Sequence, residues 1–128
     1  MISGIGTDII EIERVKKAIA REAFRARVFT EAERAYCAAR GAGAAASFAA
    51  RFAGKEAVLK SLGTGLRGGT LQDVEITNDA LGAPHVTLHG AFLAMAEEKG
   101  IRRMHITLSH AREYATAVCI AEYGEEKR

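Results

Sequence analysis

The segment Gly63-Thr-Gly-Leu-Arg-Gly-Gly69 divides this 128-residue chain more sharply than any other. Four glycines in seven positions hold neither a helix nor a strand, so the backbone must turn there. Before it, Ser47–Leu62 reads as a helix with Phe48, Phe52, Leu59 and Leu62 to one side. After it the period shortens. Gln72–Thr77 and His85–His89 read as strands joined through Asn78–Ala83, and Ala91–Lys99 as a helix stopped by Gly100. Met104–Ser109 alternates, with Ile106 and Leu108 on one face and His105, Thr107 and Ser109 on the other. The near-continuous apolar run Tyr114–Ala121 reads as its hairpin partner, buried on both faces.

In the first half, Ile2–Ile10 mixes β-branched residues with Gly4 and Gly6, the pattern of a short strand in close backbone contact. Glu11–Val28 is expected to be one helix. Ile12, Val15 and Ile19 recur along one face, and Arg14, Lys17 and Arg21 form a separate row. Thr30-Glu-Ala-Glu33 is a capping box opening a helix to about Ala39, and Gly41–Ala46 is expected to be a loop. The order is no regular βαβ alternation, so the fold class is α+β, a small antiparallel sheet packed against helices. No repeat or boundary interrupts it, and residues 1–128 are expected to form one domain.

Composition excludes several functions. Eighteen basic against 16 acidic residues leave +2, too balanced for a general nucleic-acid binder. The N-terminus lacks a basic start, so no targeting segment is expected. The longest stretch without Asp, Glu, Lys or Arg, Ala80–Ala96, is broken by Gly82, Pro84 and Gly90 and reads as no membrane span. Cys37 and Cys119 belong to no C-x-x-C motif; they are expected to be buried free thiols in a reducing cytoplasm.

Five constellations could carry chemistry. Asp8 ends G-I-G-T-D beside an apolar strand, where a carboxylate must be paired, hydrogen-bonded or metal-bound; it could equally cap the helix beginning near Ile10. Glu56 and Lys60 stand i, i+4 on one helix face, an arrangement that on a surface is an ion pair worth about 0.3–0.5 kcal/mol. Gly54, costing about 1 kcal/mol in a helix interior, suggests that a ligand or another backbone comes close. Gly63–Gly68 matches G-x-G-x-x-G, but it follows a helix and precedes a strand, the reverse of a dinucleotide fingerprint. It can still offer backbone N–H groups to a phosphate, with Lys60 and Arg67 beside it. The row Arg14, Lys17, Arg21, with Phe24 and Arg25 beyond, is either a solvated face or a dock for an acidic protein or a nucleic acid. His105-Ile-Thr-Leu-Ser-His110 is a poor zinc pair and offers no recognisable protease triad.

Three of these segments, in order, resemble the small bacterial holo-acyl-carrier-protein synthases, the short branch of the 4′-phosphopantetheinyl transferases. They are G-I-G-T-D-I-I-E-I-E-R-V, F-A-A-R-F-A-G-K-E-A-V-L-K-S-L-G-T-G and H-I-T-L-S-H-A-R-E-Y-A-T-A. The resemblance covers nearly the whole chain; Gly54 departs from the family's usual alanine. It implies the phosphopantetheinyl transferase fold and transfer of the phosphopantetheine arm of coenzyme A to a serine of an acyl carrier protein, in support of fatty acid biosynthesis. It implies Asp8 and Glu56 as Mg²⁺ ligands and catalytic residues, and Lys60 at the pyrophosphate. Gly63, Thr64, Gly65, His105 and Ser109 would contact coenzyme A. Arg14, Lys17, Arg21, Phe24 and Arg25 would dock the acidic carrier protein. A homotrimer with sites between subunits is implied as well. A nucleotide- or RNA-binding module and a magnesium phosphohydrolase are the alternatives; neither needs a dock for an acidic protein.

Overall fold

A computed structural model describes residues 1–124. It opens with strand β1 (Ile2–Glu11), followed by helices α1 (Ile12–Ile19), α2 (Glu22–Val28) and α3 (Glu31–Ala38). The long helix α4 (Ala44–Leu62) leads through the glycine loop to the hairpin β2 (Val74–Asn78) and β3 (Pro84–Leu88). Helix α5 (Gly90–Lys99) and strands β4 (Ile101–Ala111) and β5 (Tyr114–Tyr123) complete it. All pairing is antiparallel, in a three-stranded sheet ordered β1-β5-β4 and a separate β2-β3 pair. The α+β expectation holds.

Helix α4 is the central element. It packs on β1, β5 and β4, with α1 and α3 against its flanks. Its apolar residues are not confined to one stripe: Ala49, Ala53, Ala57, Val58 and Leu59 are all at most 2% exposed, which is the composition of a helix surrounded by protein. Gly63 ends it in the left-handed conformation (φ 76°), donating its N–H to the carbonyls of Leu59 and Lys60. The three strands place alternate residues on opposite sheet faces. Gly4, Gly6, Asp8 and Ile10 share the α4 side with Ala115, Ala117, Cys119 and Ala121, and with Ile106 and Leu108.

Four expectations need correction. The first long helix is broken: Arg21 takes an extended conformation (φ −92°, ψ 122°) and separates α1 from α2. Gly41–Ala46 is no loop throughout, since Gly41–Gly43 forms a 3₁₀ turn and α4 already starts at Ala44. Gly54 admits neither ligand nor backbone; a Cβ there would lie 2.5 Å from Ile76 Cδ1 and 2.9 Å from Leu108 Cδ2. Strand β5 is buried on one face only, with Thr116, Val118 and Ile120 half-exposed on the other. The Thr30–Glu33 capping box forms as expected, and Cys37 and Cys119 are buried free thiols. Among the described residues no helix is long and apolar enough to cross a membrane.

Candidate active site

Asp8 owes its place to the two glycines before it. A Cβ on Gly4 would lie 2.1 Å from the carbonyl oxygen of Ser61, and one on Gly6 2.1 Å from that of Ala57. Strand and helix backbones therefore touch, and Asp8 is the next residue on that face, the first with a side chain. It is no helix cap: Asp8 lies within β1, and Glu11 holds the N-cap position of α1 without a side-chain cap bond. Its Oδ1 accepts a hydrogen bond from Lys60 Nζ at 3.1 Å, and the same ammonium donates to the Thr7 carbonyl at 3.0 Å. Lys60 thus turns to Asp8 across the strand rather than to Glu56 along its own helix.

Glu56 is half-buried, and burial, together with the nearby charge of Asp8, pushes its carboxyl above the usual range; Lys60 offsets part of this. Asp8, Ile10, Arg14, Phe52, Glu56 and Tyr114 line a cavity of about 350 Å³. Glu11 lines it as well, and among the described residues no three His, Cys, Asp or Glu side chains converge to hold a metal ion.

This cavity shares Ile10, Glu11, Arg14 and Phe52 with a groove of about 730 Å³ that reaches Lys17, Arg21 and Phe24. The basic row therefore converges on one groove although the helix is broken within it. Phe24 stacks on Phe52 with ring centroids 6.2 Å apart, giving the groove an apolar floor. Arg25 points elsewhere: its guanidinium bonds the Ile19 carbonyl and Glu22, which also accepts from Arg34 at 2.7 Å.

Gly63, Thr64 and Gly65 follow Lys60 within one turn of the helix end. Gly65 is also left-handed (φ 61°), and Thr64 Oγ1 donates to its carbonyl at 3.1 Å. His105 and Ser109 are exposed on the sheet face opposite α4, with His105 Nε2 3.2 Å from Glu122 Oε1. One chain does not bring them to Asp8 and Glu56.

Sequence reasoning passed over a second polar cavity, of about 520 Å³, at the β4 edge, where Arg40, Arg51, Tyr36, Asn78 and His110 meet. Arg51 is only 3% exposed, stacks over Tyr36 at 4.4 Å, bonds Asn78 Oδ1, and leaves its buried Nε without a hydrogen-bond partner. The available signal was the i, i+4 pair Arg51 and Lys55 within an otherwise small and apolar stretch of helix.

These features define a small α+β protein with two carboxylates, Asp8 and Glu56, beside a groove lined by Arg14, Lys17 and Arg21. Residues 4–119 match the family model described as the 4′-phosphopantetheinyl transferase superfamily, and the chain belongs to that family. Among its relatives, the holo-[acyl-carrier-protein] synthase of Moorella thermoacetica is 49% identical over 124 residues, covering 94% of this chain and 96% of the relative. The crystal structure of the Neisseria meningitidis holo-[acyl-carrier-protein] synthase superposes with a TM-score of 0.87 at 35% identity, covering 95% and 99% of the two chains. The Bacillus anthracis synthase in complex with coenzyme A (3′,5′-ADP) gives 0.81 at 33% identity, covering 97% and 99%.

Proposed function

We propose that this chain transfers the 4′-phosphopantetheine arm of coenzyme A to a serine of apo acyl carrier protein, leaving adenosine 3′,5′-bisphosphate, and so supports fatty acid biosynthesis in the cytoplasm. Residues 1–128 act as one transferase domain in this reading. One observation carries it: the cavity lined by Asp8 and Glu56, with Lys60 bonded to Asp8, shares Arg14 and Phe52 with the groove that holds Lys17, Arg21 and Phe24.

The carboxylate pair suits magnesium. Asp8 and Glu56 line one cavity, which Glu11 also borders, and the charge of Asp8 opposes ionisation of Glu56, a repulsion that a cation relieves. Hard oxygen donors in small number match an ion that keeps waters and phosphate oxygens as its other ligands. Asp8 and Glu56 would hold Mg²⁺, which would supply charge neutralisation for the pyrophosphate. Lys60 brings a further positive charge to Asp8, where it can meet the negative charge growing on the leaving bisphosphate. Gly63–Gly65 offers backbone groups to the substrate phosphates, and the Asp8 or Glu56 carboxylate can accept the serine proton. Arg14, Lys17 and Arg21 attract the acidic carrier protein while Phe24 and Phe52 receive its apolar surface. Arg25, tied to Glu22, acts behind this front row.

Coenzyme A also needs a site for its phosphorylated nucleotide end, and the Arg40–Arg51 cavity has the charge for it. That cavity borders β4, Asp8 stands on β1, and β5 runs between them. In this reading one coenzyme A reaches both groups of residues between two copies of the chain. Supporting this, Ile2, Ile5 and Ile9 are 60%, 66% and 62% exposed on β1, beside the half-exposed Val118 and Ile120. We propose a homotrimer closed through that face, with His105 and Ser109 brought near a neighbour's site.

Incubation with coenzyme A, Mg²⁺ and apo acyl carrier protein should add the phosphopantetheine arm, about 340 Da by mass spectrometry. A carrier protein of unchanged mass overturns the reading.

A further inference from the structure

Lys55, next to Glu56 in sequence, is fully buried, and the proposed reaction gives it no role. Its ammonium donates to Glu33 Oε1 at 2.7 Å, to the Leu71 carbonyl at 2.9 Å and to the Val74 carbonyl at 2.7 Å. Glu33, 1% exposed, accepts in turn from the Thr30 N–H and, through Oε2, from the Ile76 N–H, both at 2.9 Å. Three hydrogen bonds from Lys55 and two more to Glu33 thus tie α4 to the start of α3, to the 71–74 segment and, through Glu33, to Ile76 of β2. We propose that the Lys55–Glu33 pair is a positioning device: it sets the rotation of α4 about its axis and thereby aims Glu56 and Lys60 at Asp8.

The reason lies in the surface of α4. Ala49, Ala50, Ala53, Gly54 and Ala57 leave much of its surface low beside the larger Phe48, Val58, Leu59 and Leu62, and small side chains resist rotation weakly because they offer no high ridges. Hydrogen bonds from a buried ammonium are directional and costly to leave unmade. Neighbouring residues in a helix project about 100° apart, so whatever holds Lys55 also holds Glu56. At a side-chain radius of about 5–6 Å, a 20° rotation moves a carboxylate by about 2 Å. Misplacement of about 1 Å at a reacting centre can cost about a hundredfold in rate.

The inference rests on the proposed transferase reading, and the test separates the two. Wild type, Glu33→Gln and the double variant Lys55→Met with Glu33→Gln are compared, each assayed ten degrees below its own melting midpoint. Removing both charges of a buried pair is often tolerated by the fold. In the double variant kcat should fall at least about tenfold with the coenzyme A KM changed less than about twofold. Mn²⁺ affinity, followed by electron paramagnetic resonance without substrates, should weaken at least about fivefold. Wild-type kcat and Mn²⁺ affinity in a folded double variant would make the pair merely structural and overturn the proposal. Should the double variant not fold, Glu33→Gln decides by the same two readouts, since it keeps both carbonyl partners of the ammonium. A wild-type protein that transfers no arm sinks the transferase reading instead.

Discussion

The two faces of the three-stranded sheet are finished differently. Toward α4 most residues of β1 and β5 are small, Gly4, Gly6, Ala115, Ala117, Cys119 and Ala121, and at Gly4 and Gly6 strand and helix backbones meet. The only acid among the β1 residues on that side, Asp8, lies where the close contact ends. On the other face stand Ile5, Ile9, Val118 and Ile120, large apolar residues that this chain leaves at least partly exposed. Burying an isoleucine contributes about 1.5–3 kcal/mol, so a face that leaves several exposed has most to gain from a second copy. One side is thus completed within the chain, and the other fits completion by association.

The largest effect tests the closed side. Asp8→Ala and Glu56→Ala should each lower transfer at least about a thousandfold with little change in melting temperature, because a divalent ion's charge stabilisation is worth several kcal/mol. Wild-type transfer should vanish in EDTA and return with Mg²⁺; transfer that persists in excess chelator contradicts the metal assignment. The open side is tested by Ile5→Asp with Ile9→Asp. Burying these charges without partners is costly, so sedimentation should find the mass of one chain in place of an oligomer, and transfer should fall at least about a hundredfold. An unchanged mass and rate would mean that this face is not the interface. Gly6→Ala then asks how tight the closed side is. The added methyl meets the Ala57 carbonyl at 2.1 Å, and overpacking typically costs about 1–3 kcal/mol. That is a fall of about 5–10 °C for a chain of this size. An unchanged midpoint would show that strand and helix can part freely.

Some of this arrangement was legible in the sequence. Gly4 and Gly6 announced a close approach, and the Thr30–Glu33 spacing announced the start of α3. Convergence of Asp8, Glu56 and Lys60 came from the resemblance, because 48 residues separate the two acids and no local pattern reports such a contact. The break at Arg21 was invisible: Ala20, Arg21 and Glu22 carry no glycine or proline, and beyond the turn Phe24 packs on Phe29 and Phe52, contacts that no local pattern reports. Burial of β5 on both faces rests on apolar composition, which cannot tell a face covered by its own chain from one left partly exposed. Gly54 signalled a close contact correctly but not its partner, since side chains from β2 and β4 fill the space.

Next in size is the docking groove, which lies on the closed side's rim. Arg14→Glu with Arg21→Glu should leave the melting temperature and coenzyme A affinity unchanged, since both side chains are exposed. Efficiency toward the carrier protein should drop at least about tenfold, equivalent to about 1.4 kcal/mol. Added salt should slow the wild type and narrow the gap. Equal carrier-protein kinetics would reduce the row to a solvated surface.

The smallest effect concerns Glu56 without metal, where the closed side carries strain of its own making. Its carboxyl is held above the ordinary 4.5 by burial first and the Asp8 charge second. A carboxyl whose folded pKa exceeds its unfolded one binds more protons in the folded state. Its contribution is therefore most favourable below 4.5 and is lost as pH rises through the raised value. Glutamine carries no such charge at any pH. Glu56→Gln should accordingly melt higher than wild type at pH 7 in EDTA, and the gap should close as the pH falls toward 4. The group is only half-buried, so solvent screening keeps the gain below about 1 kcal/mol. Saturating Mg²⁺ should reverse the order, because the ion stabilises the folded state that binds it and glutamine is the poorer ligand. Calorimetry at pH 7 reads both signs: a variant that melts lower than wild type in EDTA, or higher in Mg²⁺, would show that Asp8 and Glu56 do not share one site.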